Sequence, residues 1–245
     1  MAVRLFSAFD PASLKEVSVR PTDNNGRRVL IAHTAESIQV HLQTSKLRAP
    51  SGIKCWENND ATKSFNLELA LSPADAEYKI LEAFDNRIID MAFENKAKWF
   101  PNKKTASRDV LKELYTHSLR IPIDKNTGEV SDRWPPTFRV KIPHSNGALE
   151  CEMWDAKKTR LDAAEFLRTG GGRNAVMTVI VQCTNVWISG SGFGASWKAR
   201  QILVHSTASS SLGSFAFLGA DTLLEEAAKE AAKEAEECEL LEDSE

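Results

Sequence analysis

Ala175-Val176-Met177-Thr178-Val179-Ile180-Val181-Gln182-Cys183-Thr184-Asn185-Val186-Trp187 belongs to the longest apolar stretch of the chain, and its reading decides the fold. Thr178, Gln182, Thr184 and Asn185 interrupt it, so it is too polar to cross a bilayer and reads as a covered strand. Ser196 to His205 forms a second strand, and Ser189-Gly190-Ser191-Gly192-Phe193-Gly194 joins the two. Gly190 to Ala195 matches a loose G-x-G-x-x-A, but a dinucleotide fingerprint must be followed by a helix. A strand follows here, so the glycines belong to a hairpin turn.

Outward from this pair the same two-residue period recurs. Ile38, Val40 and Leu42 alternate with Gln39, His41 and Gln43, and Phe65, Leu67, Leu69 and Leu71 alternate with Asn66, Glu68 and Ala70. With turns at Ala49-Pro50-Ser51-Gly52 and Glu57-Asn58-Asn59-Asp60, residues 29 to 72 read as an antiparallel hairpin or meander. Phe138, Val140 and Ile142 alternate with Arg139 and Lys141, and Asn146-Gly147 turns the chain toward Leu149, Cys151 and Met153 as a hairpin partner. Helices interrupt the strands. Ser72 as N-cap and Pro73 at the first position open one that runs to about Trp99, where Pro101 stops it. Ser107 to about Ser118 forms a second, and Asp162 to Arg168 a third that ends at Gly170-Gly171-Gly172. The expected class is α+β: an antiparallel barrel or sandwich core with a helical insertion at about 73 to 118.

Composition narrows the function. With 245 residues, 42% hydrophobic and 27% charged, the chain is that of a folded protein with a sizeable core. The four cysteines never form C-x-x-C, which leaves zinc ribbons and disulfide frameworks without support and suits a reducing compartment. Met1-Ala2-Val3-Arg4-Leu5-Phe6-Ser7 has no apolar signal region, so an intracellular, membrane-free protein is expected. The five histidines contain no metal-spaced pair, Gly170-Gly171-Gly172-Arg173 lacks the lysine and hydroxyl of a phosphate loop, and no nucleophile or carboxylate pair announces itself. Neither a cofactor nor enzymatic activity is expected.

The net charge of −3 conceals an asymmetry. Residues 220 to 245 carry eleven acids against Lys229 and Lys233, a charge of −9, which leaves +6 on the rest. The tail is rich in strong helix formers with i,i+4 Glu–Lys pairs, so an acidic helical C-terminal tail follows a body of residues 1 to 219. It is either a solvated helix or an anionic arm that competes with a polyanion for the body. Within the body, basic residues are interleaved with aromatics. Lys96 to Arg108 holds Lys96, Lys98, Trp99, Phe100, Lys103, Lys104 and Arg108 with no acid among them; Arg139 and Lys141 share one strand face, and Trp197, Lys198 and Arg200 share another strand. Single-stranded nucleic acid needs this mixture, cations for phosphates and flat rings for bases. The competing reading for Trp187 and Trp197 is core burial.

The ordered set Trp134-Pro135-Pro136-Thr137-Phe138-Arg139-Val140-Lys141-Ile142-Pro143, Trp154-Asp155, Val186-Trp187-Ile188 and Phe193-Gly194-Ala195-Ser196-Trp197-Lys198-Ala199-Arg200-Gln201-Ile202-Leu203-Val204 resembles the OB-fold single-stranded DNA-binding proteins of nucleocytoplasmic large DNA viruses and related elements. The resemblance spans about residues 134 to 205. It implies an OB-like barrel that coats exposed DNA during replication, recombination or repair without catalysis. Phosphate contacts would then fall to Lys103, Lys104, Arg108, Arg139, Lys141, Lys198 and Arg200, and base stacking to some of Trp56, Trp99, Trp134 and Trp197. The acidic tail is similar in kind to those of several phage and bacterial single-strand binders, where it meets replication or recombination proteins, although Glu242-Asp243-Ser244-Glu245 lacks a terminal aromatic. Two rivals stay open, a structural virion or assembly protein and an RNA-binding protein, as does assembly into a homo-oligomer.

Overall fold

The computed structural model describes residues 3–22, 26–32, 39–57, 62–124, 126–131 and 133–206. All of them lie in one compact unit, Met1–Ala208. The acidic tail and the turn at Glu57-Asn58-Asn59-Asp60, apart from Glu57 itself, lie outside the described residues.

In chain order the strands are β1 (Arg4–Leu5), β2 (Lys15–Pro21), β3 (Arg27–Ala32), β4 (Val40–Gln43), β5 (Leu47–Ala49), β6 (Ile53–Glu57) and β7 (Lys63–Ala70). Three helices follow, α1 (Ala76–Glu94), α2 (Lys96–Trp99) and α3 (Arg108–Glu113), then β8 (Tyr115–Thr116), β9 (Leu119–Arg120), β10 (Thr137–Ile142), β11 (His144–Ser145), β12 (Ala148–Leu149) and β13 (Glu152–Asp155). Helix α4 (Ala163–Arg168) leads into β14 (Ala175–Ile188) and β15 (Phe193–Ser206). The last two form the hairpin expected from the sequence, closed by Ser189 N–H donating to the Gly192 carbonyl at 2.8 Å.

This hairpin is the spine of the sheet. The other edge of β14 accepts three short strands in succession, β5 at residues 175–177, β4 at 180–183 and β3 at 186–188. The other edge of β15 accepts β8, β10 and β13, all parallel to it. The antiparallel expectation therefore holds for the hairpins, for β3, β4 and β5 on β14 and for β7 on β10, but fails on the other edge of β15 and at β1–β4, so the sheet is mixed. The closure of the expected barrel is corrected as well. The hydrogen-bonded path runs β1-β4-β14-β15-β10-β7-β6 and does not return on itself among the described residues. Closure needs a continuous ladder between first and last strands, whereas β1 offers two residues and β5 stops at Pro50, which has no N–H to donate.

Three local expectations change for physical reasons. Among the described residues of 29 to 72 one hairpin forms, β6–β7, because β3, β4 and β5 each pair with β14 instead of each other. Asn146-Gly147 does form a tight turn with φ of 50° and 80°, but it closes only β11–β12. Strand β10 takes β7 as its long antiparallel partner, and β13 crosses to β15, since Pro143 ends the ladder beyond Ile142. Helix α1 begins at Ala76 because the Asp75 carboxylate accepts from Ser72 N–H and keeps Ser72–Asp75 in a turn. Helix α3 stops at Glu113, short of the expected Ser118, where Tyr115 is drawn into the core and Leu114 accepts from Phe193 N–H at 3.1 Å.

Helix α1 buries Leu81, Phe84, Ile88 and Ile89 over the inner face of the sheet, a stripe at three- and four-residue spacing. Trp197 sits under it, 4.9 Å from Phe84 and 5.5 Å from Phe138 between ring centroids. Two turns pack backbone to backbone behind β6: Ile53 N–H donates to the Gly171 carbonyl and Asn174 N–H to the Ala49 carbonyl, both at 2.8 Å. Gly52 makes this approach with φ +63°, and a Cβ there would lie 2.5 Å from the Gly171 oxygen. Gly52→Ala is expected to lower the unfolding free energy by about 2 kcal/mol or more, and Gly128→Ala, with φ +72° but open space around it, by about 1 kcal/mol. Urea denaturation of the two variants checks this, and equal losses would show that the turn contact is not tight.

Candidate nucleic-acid interface

The outer face of β15, β10, β7 and β6 carries the site. Along β10 the residues Phe138, Val140 and Ile142 point into the core, which turns Thr137, Arg139 and Lys141 outward. The register then aligns Lys198 of β15 with Lys141, Lys141 with Asn66 of β7, and Asn66 with Lys54 of β6. Three lysines thus lie in one row across four strands that sit about 4.8 Å apart. Among the described residues none of the three has an ion-pair partner. One step along, Arg139 faces Glu68, whose carboxylate is 3.5 Å from Arg120 of β9. Burial, and then the neighbouring Arg120, push the Arg139 guanidinium below its ordinary range, opposed by Glu68. Like charges held in register cost free energy, and an anion lying along the row would remove that cost.

Lys141, Lys198, Arg139 and Arg120 open onto a groove of about 710 Å³ lined also by His117, Ser118, His144, Trp187, Ser196 and Glu150, while Lys54, at the end of the row, lines a neighbouring cleft. Trp187 stands half-buried opposite Gly194, where a Cβ would come within 3.1 Å of its ring. Strict alternation from Ala175 would turn Trp187 inward; a register shift between Cys183 and Asn185 reverses the parity, so Val186 and Ile188 are buried and Trp187 faces the groove. His144 stacks edge-on with Phe65 at 5.1 Å, and its Nδ1 has no hydrogen-bond partner among the described residues.

Beneath the groove lies a buried carboxylate. Asp85 on α1 accepts from Tyr115 Oη and Ser118 Oγ at 2.7 Å and from Ser118 N–H at 2.8 Å, while Trp197 Nε1 donates to Ser118 Oγ at 3.0 Å. Burial, then the Asp85 charge, hold the Tyr115 phenol well above its usual range, so Tyr115 remains a donor. His117 Nδ1 lies 3.4 Å from Asp85 on the groove side.

The structure separates the residues expected from the sequence. Arg139, Lys141 and Lys198 come together in the groove, and Trp56 is exposed two residues from Lys54 on the same face of β6. Trp134 is 60% exposed but lines a second cleft. Trp99 and Trp197 are corrected: both are buried, their indole N–H groups bonded to Glu16 and Ser118, and neither offers a face to a base. Lys103 lines a separate cleft with Arg27 and Phe100, outside the sheet groove, as are Lys104 and Arg108. Arg108 is also not free of acids, for its Nε donates to Asp90 at 2.7 Å, and Lys98 pairs with Glu16. Arg200 falls at the β-bulge of β15 and donates to Gln182, away from the groove lining. Arg120, His117 and His144 escaped the sequence reading because each is a lone polar residue whose neighbours come from distant segments.

Cys151 and Cys183 are buried free thiols, with burial raising the first to about 12 and the second further. They are poor nucleophiles. No group of metal-ligating side chains occurs among the described residues, and no helix there is long and apolar enough to cross a membrane.

No protein-family model and no curated protein matches the chain. Among solved structures it is similar to the single-stranded DNA-binding protein of bacteriophage Enc34 in complex with single-stranded DNA, at 13% identity and a TM-score of 0.44, covering 81% of this chain and 99% of that one. The same phage protein in a second structure gives 12% identity and a TM-score of 0.43 over 85% and 99% of the two chains. Gp2.5, a single-stranded DNA-binding protein encoded by bacteriophage T7, gives 10% and 0.40 over 73% and 98%.

The hydrogen bond to Asp85 is the main cause that raises the His117 pKa above 6.5, with burial opposing it. A raised histidine stabilises the fold fully below the unfolded-state value and loses that contribution as pH climbs through the folded value. His117→Gln should therefore be less stable than the parent chain below about pH 6.5, with the difference fading at higher pH. Thermal unfolding across the pH range tests it, and a pH-independent difference would refute the ion pair.

Proposed function

We propose that this chain binds single-stranded DNA non-specifically through the outer face of β15, β10, β7 and β6. The observation that carries the reading is the registered row Lys198, Lys141 and Lys54, without ion-pair partners among the described residues and flanked by Arg139 on an open face with accessible rings at Trp56 and Trp187. Cations in a row track a phosphate backbone, and exposed indoles stack on bases without regard to sequence. A duplex hides its base faces, so it gains the electrostatic part only.

In this reading the protein is a non-enzymatic, intracellular member of the group that protects and organises exposed DNA in replication, recombination or repair. The pattern from Trp134 to Val204 favours kinship with the binders of large DNA viruses. The acidic tail, present in the sequence beside a basic body, would serve as the contact for replication or recombination proteins.

Titration of the full chain with an oligothymidylate should quench tryptophan fluorescence, with log K falling against log salt at a slope of about −3 if some four phosphates are neutralised. Lys141→Ala/Lys198→Ala is expected to weaken binding about tenfold at low salt while the melting temperature stays near that of the parent. Equal affinity for duplex, or a salt-independent affinity, would count against the proposal. A higher affinity for oligouridylate would reassign the site to RNA.

A further inference from the structure

A second cleft, of about 810 Å³, adjoins the sheet groove and shares Arg120 with it. One wall is built from the two interlocked turns. Arg48 precedes the first and Arg173 lies in the second, and the hydrogen bonds from Ile53 to Gly171 and from Asn174 to Ala49 tie their backbones together. The close approach of Gly52 and Gly171 leaves the two turns little room to shift. Both guanidinium groups are therefore presented from a preorganised frame, which lowers the ordering cost of binding. Among the described residues neither has an ion-pair partner; Glu68, the one carboxylate of this cleft, is engaged by Arg120.

The facing wall carries Trp134, held by Pro135 and by Pro136, whose carbonyl accepts from Leu71 N–H at 2.9 Å. The Arg133 guanidinium lies 5.5 Å from the Trp134 ring centroid, which leaves one indole face for another partner. A planar, apolar group on the indole and an anion between the two arginines describe a nucleotide: a base and its phosphate.

We infer that this cleft is a second single-strand subsite, in which Trp134 stacks on a base and Arg48 and Arg173 hold the adjoining phosphate of a strand leaving the sheet face past Arg120. The inference rests on the proposed single-strand binding and extends its footprint. Strands too short to reach past Arg120 engage the sheet face alone, and longer ones gain the second set of contacts.

The test is a length series of oligothymidylates from about 4 to 16 nucleotides, the usual range of site sizes for one such module, bound to the full chain and to Arg48→Ala/Arg173→Ala. Affinity of the parent should rise with a step once the second cleft is reached, and the variant should lose that step, about tenfold, with the shortest strands unaffected. Trp134→Phe provides an independent readout, since the extra fluorescence quenching that accompanies the step should disappear with it. Loss at no length, or equal loss at every length, would overturn the second subsite while leaving sheet-face binding intact. Absence of parent binding at all lengths would overturn the single-strand reading, and this inference with it.

Discussion

The long β14–β15 hairpin is the constraint on which the rest of the structure depends. Two fourteen-residue strands supply ladder positions for six shorter ones, of which β4, β5, β8 and β13 have only two to four residues each. Three register irregularities bend it and reset which side chains face inward. The core follows from that placement: Val179, Val181, Ile202 and Val204 are buried beside Trp197, and α1 covers the same inner face with Phe84 and Ile88. Disturbing the hairpin would release the edges on both sides at once.

The outer face inherits its chemistry from the same register. Because β10 lies parallel to β15 with Lys141 beside Lys198, and antiparallel to β7, basic residues from segments more than fifty positions apart fall into one row. The row is destabilised by its own repulsion, a cost that proteins commonly retain where a ligand relieves it. Under this face the Asp85 network works in the opposite sense. Its carboxylate is fully supplied with donors from Tyr115 and Ser118, and it anchors His117 at the groove margin while Trp197 closes the far side. A rigid floor and an unneutralised surface are what a non-specific binder of polyanions requires, since the ligand brings little order of its own.

Local pattern alone made several elements legible. The β14–β15 pair, its glycine-rich turn, α4, the Asn146-Gly147 turn and the outward placement of Arg139 and Lys141 all follow from periodicity of two or 3.6 and from turn chemistry within a few residues. What pairs with what was not legible: β4 beside β14 instead of β3, β13 parallel to β15, and a sheet that stays open are settled by long-range competition for strand edges. The site divides the same way. Sequence determined that the chain has basic residues interleaved with rings, but only tertiary structure decided that Trp99 and Trp197 are core, that Trp187 faces the groove, that Arg108 is paired with Asp90 and that Arg120 joins two clefts. The physical reason is that a bulge reverses side-chain parity and a salt bridge depends on distance in space, and neither leaves a mark on the spacing of residues along the chain.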